Sequence, residues 1–110
     1  MLGEMLRRMG YFSVACNKPL DALTLFSRAP ERFDAVIVDE IMPDLRGIQL
    51  ATQLLRVKAD IPIILMTGHG NLISLEQVRE SGVRATLIKP VLKERLQVVL
   101  DGLFKHSLQV

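Results

Sequence analysis

Three short apolar runs constrain this chain most: Ala35-Val36-Ile37-Val38, Ile61 to Met66 and Ala85 to Ile88. Such runs, the first of them unbroken and mostly β-branched, are the pattern of strands covered on both faces, and such strands are usually parallel. Pro62 is tolerable only near the start of its run, because a proline further in would remove a ladder donor. Between the runs lie helical patterns. Ile48, Ala51, Leu54 and Leu55 mark an amphipathic helix extending from the Pro43–Gly47 loop to about Ala59. Leu72 to Ser81 reads as a helix stopped by Gly82, and Leu92, Leu96, Val99 and Leu103 stripe a last one.

Ahead of the first run, Leu2, Met5, Leu6 and Met9 hold the i, i+3, i+4, i+7 spacing of one helical face, and Gly10 stands where a C-cap belongs. Tyr11 to Ala15 reads as a short strand. Pro19 suits the first turn of a following helix, with Leu20, Leu23 and Phe26 on one face and Pro30 as its stop. Strand and helix thus alternate at spacings suited to βαβ units. The expected fold is α/β, an open, doubly wound parallel sheet with helices on both faces. It is unusual in opening with a helix.

The chain has 110 residues, enough for one domain with one core. Fourteen basic against twelve acidic residues leave a charge of +2, and only Arg7 and Arg8 are adjacent, so no basic block speaks for nucleic acid. No stretch approaches the ~20 apolar residues of a membrane span. Cys16 is the single cysteine and cannot form an internal disulfide, and the first ten residues lack the apolar run of a signal peptide. A cytoplasmic location is expected.

In open α/β sheets the ligand site lies beyond the carboxyl ends of the strands, so the residue after each apolar run is informative. Those residues are Asp39, Thr67 and Lys89. Singly, a strand-end Asp is often a helix cap, a Thr a turn residue and a Lys a solvated charge. Together, one per strand, they bring a carboxylate, a hydroxyl and an ammonium to one sheet edge. The trio suits phosphoryl transfer to Asp39, because a carboxylate can attack phosphorus to form an aspartyl phosphate. Lys89 would offset charge on the phosphoryl group, and Thr67 could donate a hydrogen bond to one of its oxygens. No G-x-x-x-x-G-K-[ST] or G-x-G-x-x-G is present, so the donor is not a nucleotide held by a glycine loop.

These residues resemble the receiver domains of two-component response regulators. Asp39-Glu40-Ile41-Met42-Pro43-Asp44-Leu45-Arg46-Gly47 has that family's D-x-x-M-P-x-x-x-G pattern around the phosphorylated aspartate. Leu65-Met66-Thr67-Gly68 and Leu87-Ile88-Lys89-Pro90 are similar to its threonine motif and its Lys-Pro pair, whose bond is typically cis in the family. The resemblance runs from Met1 to about Leu103. It implies a flavodoxin-like sheet, a receiver domain over residues 1–104 and a tail over 105–110. The wording around Thr67-Gly68-His69 and Gly82-Val83-Arg84-Ala85 is similar to receivers of hybrid sensor histidine kinases.

Two departures bear on function. Receivers open with a strand ending in two acidic residues that help hold Mg²⁺, and this sequence starts at the first helix. The resemblance then leaves Mg²⁺ with the Asp39 carboxylate and the Ile41 carbonyl, a thin set for a hard cation, so binding is expected to be weak or absent. Glu40 should point away from Asp39 as its chain neighbour, and Asp44 reads as a turn residue, so neither is expected to complete the set. The second departure is Thr86, where many receivers carry a Tyr or Phe that reports phosphorylation. The five methionines read as packing residues, Cys16 as inert, His106 as solvated tail and His69 as loop surface at the mouth of the site.

The expected function is a phosphoacceptor in a two-component phosphorelay, taking its phosphoryl group from a histidine kinase, or a kinase domain of its own protein, and losing it again without turning over an external substrate. The alternative is a degenerate receiver serving only as an interaction or dimerisation module. A nucleotide-binding enzyme of similar layout would need a phosphate loop. In the family's strand order 2-1-3-4-5 the missing strand lies between Tyr11–Ala15 and Ala35–Val38. Two inner edges would be left unpaired, so either Tyr11–Ala15 moves to pair directly with Ala35–Val38 or a strand arrives from a second copy, and self-association as a homodimer is the favoured expectation.

Overall fold

The structure is a computed structural model, and it describes residues 2–42, 44–68 and 74–104. Among the described residues five α-helices and three strands follow in the order α1 (Leu2–Arg8), α2 (Pro19–Arg28), β1 (Val36–Asp39), α3 (Gly47–Val57), β2 (Ile63–Thr67), α4 (Leu75–Ser81), β3 (Ala85–Ile88) and α5 (Lys93–Phe104), with a short 3₁₀ helix at Pro30–Arg32. The strands form one parallel sheet in the order β1-β2-β3, with Val38 opposite Leu65 and Leu65 opposite Thr86. The crossovers through α3 and α4 lie on one face, and α5 with α1 covers the other, which gives the α/β sheet with helices on both faces that the apolar runs predict.

Side-chain parity along the strands divides the core into two layers. Val38, Ile63 and Leu65 face Phe26 of α2 and Leu50, Ala51 and Leu54 of α3, while Ile64 and Leu87 face Leu96 and Leu100 of α5. Leu2, Met5 and Leu6 of α1, with Met9 just after it, join that second layer half-buried, so the methionines here are packing residues, as is Met66. Local chemistry sets the helix ends. Gly10 and Gly82 take positive φ at +96° and +86° just after α1 and α4, where a Cβ would be strained. At the start of α4, Ser74 Oγ accepts the Gln77 amide at 3.0 Å while Gln77 Oε1 accepts the Ser74 amide.

Four expectations need correction. Tyr11 to Ala15 forms no strand. A strand needs a ladder partner, and among the described residues none lies beside this segment. Phe12 is 99% exposed and Val14 also projects outward, whereas Tyr11 packs against Phe104 with ring centroids 5.9 Å apart. The facing edge of β1 is open too: Val36 and Glu40 donate to Pro62 and Met66 on the β2 side, so by parallel alternation Ile37 and Asp39 aim their amides outward. On α2, Pro19 and Phe26 are buried with Ala22 and Leu23 packed beside them, and Leu20 faces water, because the buried face is phased one residue earlier than Leu20. β3 is covered on one face only, as an edge strand, leaving Thr86 and Ile88 exposed. Leu92 precedes α5 and is exposed; Leu96 and Leu100 carry the buried stripe. His69, Leu72, His106 and residues 105–110 lie outside the described residues.

Candidate functional site

The carboxyl ends of β1, β2 and β3 carry Asp39, Thr67 and Lys89 in that order across the sheet. Neighbouring parallel strands lie ~4.8 Å apart, so β3 is about two spacings from β1 and only a long side chain can bridge them. Lys89 shares the parity of Leu87, and Asp39 that of Ile37, so both project from the face covered by α5. The Lys89 ammonium reaches across β2 and contacts both carboxylate oxygens, at 2.7 Å to Oδ1 and 2.8 Å to Oδ2. Both side chains stay about one-third exposed, at 35% and 33%. Lys89 is therefore a held cation rather than a free solvated one.

The backbone completes the arrangement. Asp39 Oδ1 also accepts the Ile41 amide at 3.0 Å, and the Lys89 amide donates to the Thr67 carbonyl at 2.7 Å, which ties the ends of β2 and β3 together. The Lys89–Pro90 peptide is cis. Thr67 is half-buried at the end of β2, and among the described residues its hydroxyl bonds to neither Asp39 nor Lys89. Asp39 and Lys89 are thus brought into contact, while Thr67 stands beside them. A nucleophilic oxygen, a fixed cation and a hydroxyl at one strand edge can receive a phosphoryl group.

A divalent cation fits these residues poorly. The possible oxygens are the Asp39 carboxylate, already shared by Lys89 and the Ile41 amide, and the Ile41 carbonyl. Among the described residues no three His, Cys, Asp or Glu side chains converge. Asp44 is exposed at φ 71°, a turn conformation, and Glu40 is turned the other way. These residues alone do not make up the oxygen set of a hard cation.

Glu40 and its loop are what reading the sequence passed over. Glu40 shares the parity of Val38, so it enters the α3 layer, where it is buried at 2% exposure. Its Oε1 accepts the Ile48 amide at 3.0 Å, its carbonyl accepts the Gly47 amide at 3.0 Å, and Arg46 closes an ion pair over Oε2. Gly47 packs so tightly that an added Cβ would lie 2.7 Å from Glu40 Cα and 2.8 Å from the Asp39 carbonyl carbon. The signal was present in the two-residue step from Val38 to Glu40, which predicts a shared face.

Residues 1–101 match the family model described as the response regulator receiver domain. The chain is 31% identical over 107 residues to the transcriptional regulatory protein GlrR of Escherichia coli, covering 97% of this chain and 24% of GlrR. It is 29% identical to ZraR of Klebsiella oxytoca, again covering 97% and 24%. The chain spans about a quarter of the length of these two relatives. Among solved structures, it superposes on a response regulator receiver domain protein from Clostridium thermocellum with a TM-score of 0.89 at 23% identity, covering 96% of this chain and 84% of that one. The receiver domain of sensor histidine kinase PA1611 from Pseudomonas aeruginosa, whose active-site cleft coordinates magnesium, aligns with a TM-score of 0.79 at 25% identity, covering 92% and 83%.

Proposed function

The chain belongs to the family of response regulator receiver domains, and we propose that its Asp39 is the phosphoacceptor. The observation that carries this reading is the contact of both Asp39 oxygens with the Lys89 ammonium across an intervening strand. Of the described acids, Asp39 alone ends a strand of the sheet. In the reaction an Asp39 oxygen attacks phosphorus and the new O–P bond forms as the P–N bond of a phosphohistidine breaks. The leaving imidazole nitrogen keeps the electron pair. Lys89 then offsets the negative charge on the phosphoryl oxygens, and Thr67 supplies a hydrogen bond to one of them. Loss of the phosphoryl group to water returns the domain to its starting state, so the chain signals rather than turning over an external substrate.

The receiver unit is taken as residues 1–104, its partner as a histidine kinase or a kinase domain of the same protein, and its location as the cytoplasm. Among the described residues no helix is long and apolar enough to cross a membrane. Mg²⁺ would sit against Asp39 and the Ile41 carbonyl, weakly if these are its only protein ligands. Sedimentation at micromolar concentration tests whether this chain pairs with a second copy of itself: a dimer is the expected species and a monomer the contrary result. Incubation with acetyl phosphate and Mg²⁺ tests the central reading: one phosphate should add by intact mass and Asp39→Asn should abolish it. An adduct that persists in Asp39→Asn refutes the assignment.

A further inference from the structure

Glu40 is a buried carboxylate that the phosphoryl-transfer reading does not use. Burying a charge is costly unless it is paired and hydrogen-bonded, and an apolar residue would fill the same space under α3. What an apolar residue could not do is accept the Ile48 amide. Glu40 accepts the first two amides of α3, those of Gly47 and Ile48, through its carbonyl and its side chain respectively. Both amides would otherwise lack an intrahelical partner.

One peptide plane links this closure to the reacting group. The Glu40 carbonyl, bonded to Gly47, and the Ile41 amide, bonded to Asp39 Oδ1 at 3.0 Å, are the two ends of the same planar unit. Fixing the carbonyl direction fixes the amide direction. Resting on the assignment of Asp39 as phosphoacceptor, we propose that Glu40 is a positioning residue for the Asp39 carboxylate, with Arg46 as the half-exposed bolt that holds Glu40 in place. The Glu40 side chain anchors α3, α3 anchors the Glu40–Ile41 peptide, and that peptide orients Asp39.

Amide hydrogen exchange by NMR, together with the initial rate of acetyl-phosphate labelling by intact mass, tests this in the parent chain, Glu40→Gln, Arg46→Ala and Arg46→Lys. Glu40→Gln keeps an acceptor for Ile48 while removing the charge that Arg46 holds. Exchange at the Ile41 amide should rise about tenfold in Glu40→Gln and in Arg46→Ala, which is the low end of what a hydrogen bond to a charged group contributes. The labelling rate should fall several-fold alongside it, and Arg46→Lys should recover most of both effects. A folded Glu40→Gln or Arg46→Ala variant whose Ile48 amide exchanges faster while Ile41 exchange stays at the parent value overturns the proposal, and Glu40 is then a helix cap only. Should Glu40→Gln fail to fold, Arg46→Ala alone decides. Absence of label on the parent chain, or label that persists in Asp39→Asn, counts against the phosphoacceptor reading, and the exchange measurement still decides the role of Glu40.

Discussion

Gly47→Ala is the smallest change that attacks the geometry of the site from behind. The added methyl would lie 2.7 Å from Glu40 Cα and 2.8 Å from the Asp39 carbonyl carbon, with the Asp39 carbonyl oxygen closer still. All three are backbone atoms, so no side-chain rotation relieves the overlap. Helix propensity favours Ala over Gly by about 1 kcal/mol in a helix interior, and by less at a first position whose amide bonds outside the helix. Overpacking against atoms that cannot move costs typically ~1–3 kcal/mol and sometimes more. The clash wins, with a net loss of about 1–2 kcal/mol against a total stability of roughly 5–15 kcal/mol. At ~4–8 °C per kcal/mol for a domain near this size, thermal unfolding followed by circular dichroism should show Tm lowered by about 5–15 °C. Labelling of Asp39 should fall as well, because relief requires the end of β1 to separate from α3. A Tm equal to that of the parent chain would refute the close approach.

Gly102→Ala is the matched control: Gly102 lies within α5 with nothing within 4 Å of a built Cβ, so the substitution should stabilise by about 0.5–1 kcal/mol and raise Tm in the same assay. Lys89→Ala should change stability by no more than about 1 kcal/mol, because the pair is partly solvated. The same variant should slow labelling by about 10²-fold, the scale of removing one group aimed at developing charge; equal rates in parent and variant would remove Lys89 from the mechanism. In the monomer the Ile37 amide should exchange much faster than that of Val36, which donates to Pro62 at 2.9 Å. Equal protection of the two would mean that the outer edge of β1 is paired.

Much of the fold was legible because apolar runs mark strands of the sheet, including β3, of which only one face is covered. The runs at 35–38, 61–66 and 85–88 locate β1, β2 and β3, and the residues just past them are those of the candidate site. Tyr11 to Ala15 misled because its residues favour strand while strand formation depends on a neighbour, which a local pattern cannot supply. Leu20 misled for a related reason: Leu20, Leu23 and Phe26 do share a face, but the sheet takes the face of Pro19, Ala22, Leu23 and Phe26, and three-dimensional packing chooses between them. Within the site, Asp39 and Lys89 were legible as strand-end residues. Their direct contact was not, since it depends on β3 lying two strands from β1 and on the reach of a lysine. Glu40 was read only as a neighbour turned away from Asp39. That direction was right, yet nothing in its own identity announced that a carboxylate would be buried there beneath Arg46.

Site mapping of the labelled chain tests the central claim most directly. After reaction with acetyl phosphate, borohydride reduces an acyl phosphate to an alcohol, converting a phosphorylated aspartate to homoserine at its position in the chain. Peptide sequencing by mass spectrometry should find homoserine at position 39 and at no other acidic residue, with the signal lost in Asp39→Asn. Homoserine at another aspartate, or a phosphate adduct resistant to borohydride and carried on a hydroxyl such as that of Thr67, would contradict the account.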